Sequence, residues 1–152
     1  AAEDERSPVD PVALAKQVLE DAARMDQAVD AGEMTGDGAE VQLRPMAIRR
    51  ALENLIGNAL RYGDKARLSV QVSPRAVRFS VEDNGPGIPP RAREDAVRPF
   101  TRLDPARNQD QGPGVGLGLA IVADIARSHG GTLRLDDSEA LGGLRVDIVL
   151  PR

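Results

Sequence analysis

Cysteine and tryptophan are absent from this chain, and only two phenylalanines, one tyrosine and one histidine occur in its 152 residues. Without cysteine there are no disulfides and no thiolate metal sites, a composition that fits a reducing compartment. A single histidine, His129, is too few for a histidine-rich metal centre. With so few aromatics, the core has to be built from Leu, Ile, Val and Ala. No apolar run approaches the ~20 residues that a membrane span needs, and no secretory signal opens the chain. A basic surplus is missing too: the net charge is −4, which argues against a general nucleic-acid binder.

What is present is an ordinary globular balance, 41% apolar and 29% charged, in a length suited to one domain. The first residue is Ala1 rather than Met, so a fragment or expressed domain of a longer protein is expected. Residues 1–9 (AAEDERSPV) are charged and contain proline, and read as a loose linker. Asp10-Pro11 then starts a helix, a carboxylate cap followed by proline at the first helical position. Val12, Ala15, Val18, Leu19 and Ala22 continue it at helical spacing. Short strands are expected around Ala28–Asp30 and Glu40–Leu43, separated by the turn-rich stretch Gly32–Gly38.

Pro45 opens a second helix whose Leu52, Leu55 and Ala59 fall within about 40° of Ile48 on the helical wheel. Residues 66–73 and 76–82 alternate apolar and polar as a β-hairpin does, around Ser73-Pro74-Arg75. A third helix is expected from Gly116 to about Ser128, with Leu117, Ala120, Ile121, Asp124 and Ile125 in register. His129-Gly130-Gly131 stops it. Strands at 132–136 and 143–150 close the chain. This order predicts an α+β fold, a two-layer α/β sandwich with a mixed sheet covered on one face by three helices.

Three constellations carry chemistry. On the second helix, Asn54 and Asn58 stack four residues apart, with Arg61 and Tyr62 a turn later. The group sits at about 220–320° on the wheel, away from the apolar stripe. An Asn oxygen can ligate magnesium and Arg suits phosphate; the plain alternative is a solvated helix face. Asp83-Asn84-Gly85-Pro86-Gly87 ends a strand in a turn where backbone can approach a ligand closely. There Asp83 can accept from an exocyclic amine, and the alternative is an ordinary hairpin turn. Gly112-Pro113-Gly114-Val115-Gly116-Leu117-Gly118-Leu119 runs into a helix and offers bare amides for an anion, or else is a hinge. It lacks Gly-Lys-Ser/Thr and does not follow the first strand of a βαβ unit, so neither a P-loop nor a Rossmann turn fits.

Taken together and in order, these residues resemble the sensor histidine kinases, of osmosensor (EnvZ-like) type. Residues 53–62 (ENLIGNALRY) are similar to the N box, 83–87 (DNGPG) to the first glycine box, and Pro99-Phe100 with Arg102 to the F box. Residues 114–120 (GVGLGLA) are similar to the second glycine box, and Gly142-Gly143 to a terminal glycine block. The resemblance implies the Bergerat (GHKL) fold shared with Hsp90, MutL and type II topoisomerases, with ATP and Mg2+ as cofactors. It implies Asn58 on magnesium, Asn54 on the phosphate side, Arg61 at phosphate, and Tyr62 by adenine or ribose. Asp83 is implied at the adenine amine, Gly85 and Gly87 with Ile88 at the purine wall, and Phe100 and Arg102 in an ATP lid spanning about 88–113. Gly114, Val115, Gly116, Leu117, Gly118 and Leu119 are implied at the phosphates. The lid arginines Arg91, Arg93, Arg98, Arg102 and Arg107 are candidates for the γ-phosphate. Val115 stands where the family often has Thr or Ser, and Leu144 where a small hydroxyl residue commonly follows the Gly-Gly.

The function so implied is transfer of the ATP γ-phosphate to a histidine on a dimerisation helical hairpin of the same parent protein, with a response regulator next in line. The catalytic histidine and base would lie outside residues 10–152, the ATP-binding domain, and residues 1–9 would link to that hairpin. A homodimeric parent anchored in the bacterial inner membrane is implied, with this domain monomeric alone and in the cytoplasm. The rivals are a GHKL-fold ATPase or serine kinase and a non-catalytic nucleotide-sensing module. Such ATPases place a Glu four residues before the magnesium-binding Asn, a position held here by Asn54; Glu53 is rotated from it by about 100°. His129 reads as the end of a helix rather than as a phosphoacceptor.

Overall fold

The computed structural model describes residues 5–36, 38–97 and 115–152. The chain starts with β1 (Ser7–Val9), α1 (Pro11–Arg24), β2 (Val29–Thr35), β3 (Val41–Leu43) and α2 (Pro45–Tyr62). It continues through β4 (Ala66–Val72), β5 (Ala76–Asp83) and α3 (Pro90–Ala96) to α4 (Val115–Ser128), β6 (Thr132–Asp137) and β7 (Leu144–Pro151). Five strands form one sheet in the order β2-β4-β5-β7-β6. Only β2 and β4 run parallel, so the sheet is mixed, as expected.

Local chemistry sets each helix start. Asp10 Oδ1 accepts from the backbone N–H of Val12 at 3.0 Å and Ala13 at 3.2 Å, with Pro11 in the first turn. Its Oδ2 accepts from the N–H of Gly38 at 3.2 Å, so the cap also holds the loop after β2. Val12, Leu14, Ala15, Val18 and Ala22 of α1 face the core, and Leu19 is half-buried. On α2 the buried residues are Ile48, Ala51, Leu52, Leu55, Ile56 and Ala59, the apolar stripe expected. Against these helices β4, β5 and β7 press Leu68, Val70, Val77, Phe79, Val81, Val146, Ile148 and Leu150.

The other sheet face is a charge ladder. Arg67 lies opposite Glu82, Glu82 opposite Arg145, and Arg145 opposite Asp136, so signs alternate across four strands. One row along, Ser80 donates to buried Asp147 at 2.6 Å, and Arg145 lies 3.3 Å from the same carboxylate. The ladder leaves that face polar, while the apolar face carries the helices.

Three expectations change. Residues 7–9 are not loose: Ser7, Pro8 and Val9 pair with Leu43, Gln42 and Val41. Proline is tolerated there because a two-stranded pair consists only of edges. The strand expected to end at Asp30 runs to Thr35, with a register shift between Ala31 and Met34. Gly32 was read as a turn residue but sits in that bulge, where a Cβ would run into the side chains of Ser69 and Arg67. On α4 the buried face is Leu119, Ala120, Val122, Ala123 and Ala126, whereas Asp124 and Ile121 are exposed. This helix is apolar nearly all round, so periodicity alone could not choose its stripe.

His129 ties α4 to α2. Nε2 accepts the backbone N–H of Arg44 at 3.0 Å, which places the proton on Nδ1, and Nδ1–H donates to the carbonyl of Ile125 at 2.7 Å. Arg44 is the N-cap residue of α2 and makes no side-chain cap of its own. The imidazole is therefore a neutral inter-helix link rather than a charge placed on a helix dipole. Truncation in His129→Ala leaves the part-buried N–H of Arg44 unmatched, although the Ile125 carbonyl keeps the Ser128 hydroxyl at 2.8 Å, and is expected to cost about 1–3 kcal/mol. Urea denaturation measures it; an unchanged midpoint would show that the link contributes nothing.

Candidate functional site

The C-terminal half of α2, the turn after β5, the β6–β7 hairpin and the start of α4 meet at one end of the sandwich. Asn54, Asn58 and Tyr62 are half-buried and Arg61 is exposed on the polar side of α2. Burial pushes the Tyr62 phenol above its ordinary pKa, an effect that the hydrogen bond it accepts from Arg61 and the Arg61 charge oppose. Tyr62 therefore stays neutral through the physiological range. Glu53 points elsewhere: it lies 3.6 Å from Arg49, which also pairs with Asp21 of α1. It is thus on the α1 side of the helix, as its angular offset predicts.

At the C-terminal end of α2, β5 ends in Asp83 and turns back. Asp83 is 7% exposed, and its Oδ1 accepts from the backbone N–H of Gly85 at 2.9 Å and of Leu144 at 3.1 Å. Among the described residues no donor reaches Oδ2. One carboxylate oxygen is thus consumed in fixing the group, and the other is left to accept. The Asp83 carbonyl takes the N–H of Gly143 at 3.0 Å. Asn84 Oδ1 accepts from the N–H groups of Asp64 at 2.7 Å and Lys65 at 3.2 Å, joining the turn to the segment after α2.

Missing side chains make this approach possible. A Cβ on Gly143 would lie 2.5 Å from the Asp83 carbonyl oxygen and 2.7 Å from the Gly85 nitrogen, both backbone atoms. On Gly85 it would lie 2.8 Å from the Tyr62 carbonyl oxygen. Gly85 is therefore required for space and not for its backbone angle; Gly87, with φ +74°, is the residue that needs left-handed freedom. Across the site, a Cβ on Gly118 would lie 3.2 Å from Asn58 Nδ2. The first turn of α4 consequently rests on the carboxamide face of α2.

The expected residues fall into four groups. Asn58 and Gly118 are brought together, and Tyr62, Asp83, Gly85 and Gly87 share the adjoining turn, with Asn54 and Arg61 on the same polar face. Leu119 has its side chain in the core, so only its backbone is available to a ligand. Val115, Gly116 and Leu117 form the first turn of α4. Gly114, Phe100 and Arg102, with Pro99, Arg98 and Arg107, lie outside the described residues. Of the arginines at 88–97, Arg93 is committed to Asp137 at 2.6 Å and to the Ile88 carbonyl at 2.9 Å. Residues 90–96 also form α3, where no period was legible.

The sequence pointed to no part for Asn84 or the backbone of Leu144, and offered Arg93 only as one of five γ-phosphate candidates, not as the partner of Ile88 and Asp137. For Leu144 the signal was misdirected: the missing hydroxyl drew notice, but the N–H makes the contact. Gly142 and Gly143 separate cleanly. Gly142 has φ +88° with open space around its Cβ direction, and Gly143 has no space. Gly142→Ala is expected to cost about 1–2 kcal/mol from the left-handed backbone alone. Gly143→Ala should cost about 2 kcal/mol or more, because the clash is with backbone. Thermal or urea unfolding of the two variants checks the order, and the reverse order would contradict the packing described.

Residues 43–152 match the family of histidine kinase-, DNA gyrase B-, and HSP90-like ATPases. The chain is 44% identical over 121 residues to the sensor histidine kinase GtrS of Pseudomonas aeruginosa, a match covering 79% of this chain and 24% of that protein. It spans about a quarter of the length of that relative. Among solved structures, the ATP binding domain of PrrB from Mycobacterium tuberculosis superposes with a TM-score of 0.78 at 32% identity, covering 97% of this chain and 98% of that one. The histidine kinase domain of the E. coli osmosensor EnvZ superposes at 0.71 with 37% identity, covering 97% and 88%. The chain belongs to the histidine kinase-, DNA gyrase B- and HSP90-like ATPase family, and within it stands with the ATP-binding domains of sensor histidine kinases.

Proposed function

We propose that this domain holds ATP with magnesium and presents the γ-phosphate to a histidine of a dimerisation hairpin in its parent protein. The observation that carries the reading is the Asp83 carboxylate, with Oδ1 held by two backbone N–H groups and Oδ2 reached by no donor among the described residues, at the C-terminal end of the Asn54–Tyr62 face. In this reading Oδ2 accepts from the adenine amine, with Gly85, Gly87 and Ile88 as the purine wall. Asn54, Arg61 and the amides of the α4 start serve the phosphates, and Tyr62 lies by the base or ribose. The helix-terminal N–H groups favour anionic oxygens through the same partial charge that favours any anion there.

Among the described residues no cluster of three or more acidic or histidine side chains could hold a metal. That donor chemistry suits an ion that arrives with the phosphates and takes one further oxygen, for which Asn58, packed under Gly118, is the candidate. When bound, magnesium supplies charge neutralisation on the phosphate oxygens. In the transfer itself the bond from the γ-phosphorus to its bridging oxygen breaks, an N–P bond forms on the imidazole, and ADP leaves.

The acceptor cannot be His129 without dismantling the fold, because both ring nitrogens are engaged and the ring is 3% exposed. His129 is the chain's single histidine, so the acceptor belongs to another domain. Glu53, paired with Arg49 on the α1 side, is unsuited to activate water, which weighs against a self-contained ATPase. A response regulator as the next acceptor, a homodimeric parent, and placement of the domain in the cytoplasm below a membrane anchor belong to the same proposal. No described helix is long and apolar enough to cross a membrane.

Mixing the chain with a histidine-bearing helical hairpin of a cognate kinase and γ-labelled ATP should give acid-labile label on the hairpin and none on His129. Tight binding without transfer would indicate a nucleotide-sensing module. Turnover by the chain alone, lost in Glu53→Ala, would indicate an ATPase. Asn58→Ala should weaken magnesium-dependent ATP binding by about tenfold or more; affinity surviving undiminished would remove Asn58 from the site.

A further inference from the structure

We infer that Arg93 is a positioning residue for the base pocket, acting through the carbonyl of Ile88. The inference rests on the ATP reading above and concerns how that site is held. The turn from Asp83 to Ile88 is fixed at both ends by one element, the β6–β7 hairpin. At its entry, Gly143 and Leu144 donate to the Asp83 carbonyl and carboxylate. At its exit, Arg93 Nε donates to the Ile88 carbonyl at 2.9 Å, while its guanidinium grips Asp137 Oδ1 at 2.6 Å. Asp136 lies 3.9 Å from the same guanidinium and is shared with Arg145 at 3.2 Å. Between these two anchors Gly87 takes φ +74°, and a Cβ on it would lie 3.8 Å from the Gly143 carbonyl carbon.

Arg93 is well suited to this work. Its side chain is 16% exposed on α3, and the planar fork can serve a carbonyl and a carboxylate at once. Lysine, a single ammonium, could keep the ion pair but not both directed bonds. Asp137 is 79% exposed, so the pair contributes little to global stability. Its consequence is local. With the guanidinium in place, Ile88 and the two glycines before it have one position relative to Asp83. Without it, among the described residues the exit of the turn is tethered by chain connectivity and by the packing of Ile88 on the core.

The reach of Arg93 toward Asp137 and Ile88 also takes it out of competition for phosphate, so base affinity and not triphosphate affinity should respond to its loss. Calorimetric titration of the 152-residue chain and its variants with ATP and with ADP distinguishes the two. Arg93→Ala should weaken ATP and ADP by the same factor, about fivefold, while the thermal midpoint stays close to that of the unsubstituted chain. Asp137→Asn should show a smaller loss of the same kind, and Arg93→Lys should recover part of it. Loss confined to ATP would mean that Arg93 meets the γ-phosphate, and equal affinities in chain and variant would mean that it positions nothing; either result overturns the inference. Absence of nucleotide binding by the unsubstituted chain overturns the ATP reading and this inference with it.

Discussion

The site depends on two backbones meeting where no side chain intervenes. Gly143 lets the β6–β7 hairpin lie against the end of β5, so that Gly143 and Leu144 donate to Asp83 while Gly85 closes the same carboxylate from its own turn. A carboxylate buried to this extent is costly unless its oxygens are matched. Backbone N–H groups match one of them without introducing a compensating charge. The result is a rigid acceptor with one oxygen committed and the other, among the described residues, reached by no donor. Gly85 extends the contact to the end of α2 by lying against the Tyr62 carbonyl, and Asn84 completes it by accepting from Asp64 and Lys65. A change at any of these points moves the acceptor relative to the polar face of α2.

The helix pair α2 and α4 is organised in the same way, by a close approach at one end and a directed bond at the other. Gly118 rests on Asn58 near the site, and His129 accepts from Arg44 at the far end. The two helices therefore run antiparallel with both ends specified. Their separation at Asn58 follows from a fixed frame and not from a contact with ligand alone. The sheet beneath supplies stiffness: its core face is aliphatic apart from Phe79, and its outer face is a ladder of alternating charge that keeps it polar.

Much of this was legible in the residues. The α2 stripe, the hairpin around Pro74 and the polar group Asn54–Tyr62 follow from period alone, since one helix face was clearly apolar and the other clearly not. Ordered boxes gave the family and with it the fold. What stayed hidden has physical reasons. The α4 stripe could not be read because Ile121 and Leu119 are equally apolar, and only packing separates 42% exposure from 4%. Gly32 looks like a turn in sequence and is a bulge in space, because the neighbouring strand that makes it one is more than thirty residues away. Arg93 could be counted among five arginines but not assigned, because its partner Asp137 belongs to a hairpin distant in sequence. Leu144 was invisible because its contribution is a backbone N–H that any residue except proline could supply.

The proposed site turns on Asp83 offering its second carboxylate oxygen to an exocyclic amine. Comparing the affinity of the chain for ATP with that for inosine triphosphate isolates it, because the sugar and triphosphate are the same and the amine is replaced by a carbonyl. Inosine triphosphate is expected to bind weaker by about tenfold or more, since its carbonyl would face the carboxylate acceptor where adenine presents a donor. Equal affinity for the two nucleotides would contradict it.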